Sequence, residues 1–201
     1  MSVRTLMVDV DGVVIRHPQG LRWDHAIRED LGVDPARFQN DFFAVHWPDV
    51  VNGRADLHER LALALQTIAP HLTPEALTAY WFAKDAHLDE AFLSQLVALE
   101  GRYALHLATV QEHYRAAYLW NDLGLKDRFE AIHYAADYGC GKPEPAFFEA
   151  VAARTGHAPQ ELLLIDDSAR NVEAARACGW RAGLWDGSRT LVAVIAEAQA
   201  G

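Results

Sequence analysis

Two short apolar runs that do not alternate, each ending in a pair of aspartates, constrain this chain more than any other feature. They are Leu6-Met7-Val8-Asp9-Val10-Asp11-Gly12-Val13 and Leu162-Leu163-Leu164-Ile165-Asp166-Asp167-Ser168. An unbroken apolar run of this length suits a parallel strand buried on both faces. Thr5–Val10 and Leu162–Asp166 are therefore expected strands, and Tyr103–Ala108, Ala131–Tyr134 and Arg181–Trp185 read the same way. Helical patterns lie between them at Glu112–Leu123, Glu144–Thr155 and Ala169–Cys178. Pro143 and Pro145 stand at the start of the second, where a missing N–H costs nothing, and Gly179 follows the third at a position helix ends favour. Strand and helix in alternation predict an α/β fold, a doubly wound parallel sheet.

One interval breaks the rhythm. About ninety residues separate the first strand from the second, whereas a helical crossover needs roughly a dozen. Helical patterns fill it at Leu21–Leu31, Pro35–Val45, Asp56–Ile68 and Pro74–Lys84, with Leu57, Leu61, Leu65 and Ile68 on one stripe. Asp34 and Thr73, each followed by proline, are good helix N-caps. Residues 16–87 are therefore expected to form an inserted helical cap on a core made of residues 1–15 and 88–201, with Asp89–Leu99 as a core helix. The last residues, Ala196–Gly201, are expected to fray.

The 201 residues carry a formal charge of −10, which disfavours a nucleic-acid backbone or an anionic membrane as the main partner. A small anionic substrate stays compatible if the site holds a cation. Cys140 and Cys178 are too few for a disulfide scaffold and read as small hydrophobes in a reducing, cytoplasmic setting. Met1–Gly12 carries two acids where a signal peptide would have its apolar core, so it reads as the first strand.

Both acid pairs fall at the carboxyl ends of expected strands, the edge where open α/β sheets bind ligands. If the strands are neighbours, three or four carboxylates converge, and their repulsion calls for protons or a cation. An all-oxygen site of that kind suits Mg²⁺. Capping of the helices that follow is the competing explanation for either pair, and a poor one for both. Leu105-His106-Leu107-Ala108-Thr109 ends in a hydroxyl before a helix. A phosphate there would meet the Thr109 hydroxyl and the backbone N–H groups of Val110 and Gln111. Gly139-Cys140-Gly141-Lys142-Pro143-Glu144-Pro145 presents a lysine from a bent loop. It is not a Walker loop, since Pro143 stands where Ser or Thr should, and no Gly-x-Gly-x-x-Gly turn follows the first strand.

In this order the four elements resemble the haloacid dehalogenase superfamily. Asp9-Val10-Asp11-Gly12-Val13 is similar to its first motif, with valine where threonine is commoner. Thr109 stands at the second, Lys142 within Gly-Lys-Pro-Glu-Pro at the third, and Asp166-Asp167 at the fourth. The stretch Leu163–Gly179, with Asn171, resembles the family closely, and the insertion matches the helical cap of its C1 class in place and size.

The resemblance implies a phosphatase acting on a small phosphoester, a sugar phosphate among the candidates. Asp9 would attack phosphorus and Asp11 would serve as general acid and then base. Mg²⁺ would be held by Asp9, the Asp11 carbonyl and Asp167, with Asp166 either a ligand or a partner behind them. Thr109 and Lys142 would hold the phosphoryl oxygens. Asp11 also separates this chain from the family's dehalogenases, which lack an aspartate there because halide leaves without a proton. A phosphomutase and a catalytically idle binding module are the alternatives. In the insertion, His46, Trp47 and His58 are candidates for lining the substrate side or for bundle core. Arg115, after the phosphate-binding threonine, could reach an anionic substrate or pair with Glu112 on its own helix.

Overall fold

The computed structural model describes every residue except Met1, Pro18, Glu100 and Gly201. Five parallel strands, β1 (Thr5–Val8), β2 (Ala104–Thr109), β3 (Ala131–Tyr134), β4 (Leu162–Asp166) and β5 (Arg181–Leu184), form one sheet in the order β3-β2-β1-β4-β5. The chain works outward from β1 to β3 and returns to β4 on the other side of β1. That reversal puts the topological switch point beside the central strand, where such sheets open a crevice.

Helices follow β1 and flank the sheet. The insertion holds α1 (Ile27–Leu31), α2 (Pro35–Phe38), α3 (Trp47–Val50), α4 (Leu57–Ile68) and α5 (Pro74–Lys84). The core adds α6 (Glu90–Val97), α7 (His113–Ala117), α8 (Ala135–Tyr138), α9 (Pro145–Thr155), α10 (Ala169–Ala177) and α11 (Leu191–Ala200). Leu6, Val8, Leu105, Leu107, Leu163 and Ile165 pack against Phe92, Leu93 and Leu96 of α6 and Leu191, Val194 and Ile195 of α11. Met7, Leu162 and Leu164 form another buried cluster with Phe147, Phe148 and Val151 of α9 and Val172 and Ala175 of α10. Successive strand residues point to opposite faces, and both faces are covered, which is why the runs need no polar alternation.

The insertion has its own core, in which Leu57, Leu61, Leu65 and Ile68 of α4 meet Ile27, Phe38, Phe42, Leu77 and Trp81. Its two ends run side by side: Ile15 bridges Leu88, and Arg16 N–H donates to His87 O at 2.9 Å. Asp34 caps α2 through the Ala36 and Arg37 N–H groups, and Thr73 caps α5 through that of Ala76.

Four expectations needed correction. Leu21–Leu31 is helical only from Ile27. Pro35–Val45 is interrupted by a π turn at Gln39–Phe43; that wider turn lets adjacent Phe42 and Phe43, 5.2 Å apart, both join the aromatic cluster. Glu112–Leu123 likewise gives way to a π turn at Tyr118–Asp122. Ala196–Ala200 does not fray as expected, because α11 runs to Ala200 and buries Leu191, Val194, Ile195 and Ala198; Gly201 lies outside the described residues. No described helix is long and apolar enough to cross a membrane.

Candidate active site

The register sets the site. Val8 pairs with Leu107 on one side and Ile165 on the other, so Asp9 and Asp166 emerge together at the carboxyl edge, with Thr109 ending β2 beside them. Asp9 N–H donates to Ile165 O at 2.9 Å, carrying the pairing one residue past β1. Carboxylate oxygens of Asp9, Asp166 and Asp167 lie within 4.8 Å of one another. Gly12 turns the chain here with φ of +80°, and a Cβ on it would fall 2.1 Å from Asp167 Oδ2. The glycine after the first acid pair is thus required by both the turn and the space for Asp167.

Lys142 enters from the loop after α8 and is buried. Its Nζ stands 3.0 Å from Asp9 Oδ1 and 2.5 Å from Asp166 Oδ2. Burial works against its charge, but Asp9 and Asp166 outweigh that and hold its pKa above the ordinary value. Asp166 also accepts from Ser168 N at 2.9 Å and from Asn171 Nδ2 at 3.0 Å, so protein donors already occupy its oxygens. It orients the lysine. Burial pushes Asp9 up to about 7, with Lys142 pulling the other way and Asp166 and Asp11 adding to the rise. Asp167 is more exposed and is also raised, by burial and by Asp166. Three carboxylates around one ammonium leave negative charge in excess, and a hard divalent cation fits that donor set.

Asp11 is exposed to solvent, with the Gln111 amide and the charges of Asp85 and Arg115 beside it. Burial and then Asp85 push it up to about 6, against Arg115 and a hydrogen bond from Gln111. A carboxyl held there can both give and take a proton near neutral pH.

Thr109 is fully buried at the end of β2. The helix expected to offer its positive end at Val110 and Gln111 begins later, at His113, and its first free N–H groups are taken. The Glu112 carboxylate accepts from Tyr114 N at 2.7 Å and from Arg115 N. Gln111 instead turns its side chain into the site, donating to Asp11 Oδ2 at 2.7 Å. Nothing in the local pattern around Gln111 signals that role.

Arg115 is 1 % exposed, and its guanidinium is held by contacts within the fold. Its guanidinium donates to the carbonyls of Phe82 and Asp85, pairs with the Asp85 carboxylate at 3.4 Å and lies over the rings of Phe82 and Tyr118. It ties α7 to the end of α5. Trp47 packs among Phe43, Phe42 and Trp81 in the bundle. His58 bonds Thr78 at 3.1 Å and stacks on Tyr114 of the core at 4.3 Å. His46, half-buried, lies 6.2 Å from the Phe42 ring, just before α3. The insertion touches the core at Gly53, whose added Cβ would meet Ala136 O at 2.4 Å.

A protein-family model described as haloacid dehalogenase-like hydrolase matches residues 3–179. Among solved structures the chain is similar to a HAD family enzyme from Bacteroides thetaiotaomicron, at 18% identity over 97% of this chain and 99% of that one, with a TM-score of 0.79. That enzyme has also been solved in complex with magnesium and inorganic phosphate. A predicted HAD-like family hydrolase from Porphyromonas gingivalis is 19% identical over 98% of each chain, with a TM-score of 0.70. The HAD-hydrolase YfnB from Bacillus subtilis, bound to magnesium, is 18% identical over 96% of this chain and 92% of its own, with a TM-score of 0.61. At these identities the likeness is one of fold. No curated protein matches the sequence.

Proposed function

The chain belongs to the haloacid dehalogenase-like hydrolases, and from that premise we propose that it is a Mg²⁺-dependent phosphatase of a small phosphorylated metabolite. The observation that carries this reading is the pair Asp9 and Asp11: a carboxylate beside Lys142, and two residues on a second carboxyl with a raised pKa. Asp9 attacks phosphorus and becomes an aspartyl-phosphate as the ester oxygen leaves. Asp11 gives that oxygen its proton, then takes one from the water that attacks the intermediate. Lys142 and Thr109, with the Val110 and Gln111 N–H groups, hold the phosphoryl oxygens. Mg²⁺ held by Asp9, Asp167 and the Asp11 carbonyl would offset the repulsion between a carboxylate and a phosphate dianion; the gathered oxygens of Asp9, Asp166 and Asp167 support that assignment. A similar enzyme solved with magnesium and inorganic phosphate supports it as well.

Residues 16–87 act in this reading as a C1-type cap that excludes water and limits substrates to small phosphoesters, sugar phosphates among them. His46, Trp47 and His58 remain the insertion residues proposed for the substrate side. A panel of phosphorylated metabolites with free-phosphate detection tests the proposal. EDTA should abolish phosphate release, Mg²⁺ should restore it and Ca²⁺ should restore it poorly. Full release in metal-free buffer, or by Asp9→Asn, would overturn it.

A further inference from the structure

Gln111 is 5 % exposed, and its side chain bridges two parts of the site. Its amide nitrogen donates to Asp11 Oδ2 at 2.7 Å and lies 3.5 Å from Thr109 Oγ1. Its backbone carbonyl accepts from Ala136 N at 3.1 Å, so the residue is fixed from the core side. An ionised carboxylate has nothing to donate, so the nitrogen end of the amide faces it. We propose that Gln111 is a positioning residue that fixes which oxygen of Asp11 carries the transferable proton. This rests on the phosphatase reading and adds a residue to it.

The argument is one of hydrogen-bond valence. An NH₂ group donates and does not accept, so the oxygen facing it, Oδ2, is the accepting oxygen in both protonation states. When Asp11 is an acid its proton sits on Oδ1. In the first half-reaction the Asp9–phosphorus bond forms, the bond from phosphorus to the ester oxygen breaks, and the Oδ1 proton passes to that oxygen. In the second half, water forms its bond to phosphorus and loses a proton to Oδ1 as the Asp9–phosphorus bond breaks. The amide keeps the carboxyl from rotating between the halves, so one oxygen serves both transfers. Without that contact Asp11 can still ionise, but its proton is no longer held toward the leaving group.

The test compares an alkyl phosphate with 4-nitrophenyl phosphate, whose leaving group hardly needs a proton, at saturating Mg²⁺. Gln111→Met should lower kcat on the alkyl ester by roughly 10- to 100-fold, part of what general acid catalysis supplies. Its loss on the aryl ester should be at least about tenfold smaller, and in an Asp11→Asn background it should add nothing further. Gln111→Asn, which holds the donor one methylene short, should show the same ester-selective loss to a lesser degree, and it decides the matter if the Met variant does not fold. Equal losses on both esters, or full additivity with Asp11→Asn, would overturn the role of Gln111 while leaving the phosphatase reading intact. A wild-type protein that hydrolyses neither ester nor any member of the metabolite panel would overturn both.

Discussion

The buried ammonium of Lys142 stands 3.0 Å from Asp9 Oδ1, so the residue assigned to attack phosphorus is held beside a cation before any substrate arrives. The same nitrogen is bound by Asp166, which fixes where the lysine points. Lys142→Met would strip that cluster of its positive charge. Leaving a buried partner unpaired costs on the order of 3–5 kcal/mol, and urea unfolding in EDTA should show a loss of that order. Mg²⁺ should return more stability to this variant than to wild type, without returning turnover. A variant as stable as wild type in EDTA would mean that the cluster is not charged as described.

Asp9→Asn should do the opposite to stability. Burial raises the Asp9 carboxyl from 3.8 to about 7, so between those values the folded state holds a proton that the unfolded state has lost. Metal-free stability at this residue is therefore lost as pH rises from about 4 to 7. The asparagine variant should lack that slope and unfold later than wild type in EDTA at pH 8, by about 1–3 kcal/mol, with turnover gone. Earlier unfolding would show that the Lys142 contact outweighs burial.

His133 supplies a pH dependence of the opposite sign. It is buried between His106 Nδ1 at 3.1 Å and the Tyr138 hydroxyl at 2.7 Å. Burial, then His106 and Arg154, push its pKa down to about 4, with Asp137 opposing. The unfolded chain, titrating near 6.5, binds the proton first. Stability from this residue is complete above pH 6.5 and falls as pH drops toward 4, by up to about 3 kcal/mol. His133→Gln should flatten the curve of stability against pH in that window; an unchanged slope relative to wild type would contradict the assignment.

Gly53 should report on the seam between core and insertion. Its φ of +67° and the 2.4 Å approach of a Cβ to Ala136 O make alanine unwelcome twice over. Gly53→Ala should destabilise by about 1–3 kcal/mol and lower kcat/KM through KM, since the seam must part. The Mg²⁺ concentration for half-activation should stay as in wild type, because Asp9 and Asp167 lie on the core. A shift in that concentration with KM unchanged would contradict the assignment.

Much of the core was legible because it is written in local pattern. Thr5–Val8 and Leu162–Asp166 are apolar without alternation, and burial on both faces is the reason. Asp34 and Thr73 cap the helices that follow them, since a cap needs only its own chain neighbours. Helix α11 went unseen because its register against α6 and the sheet, not its propensity, keeps it ordered to Ala200. The π turns at Gln39–Phe43 and Tyr118–Asp122 escaped for a like reason, as they fit rings to partners far along the chain.

By itself the sequence determined the strands, the central acid pairs and the family, because periodicity, caps and motif order are properties of neighbouring residues. Tertiary structure alone decided that Gln111 reaches Asp11, a hundred residues away, that Lys142 bridges Asp9 and Asp166, and that Arg115 grips the end of α5. Each of those contacts depends on β1 lying between β2 and β4 or on the end of α5 meeting α7. Which side chains then meet is set by that packing, and no window along the chain contains it.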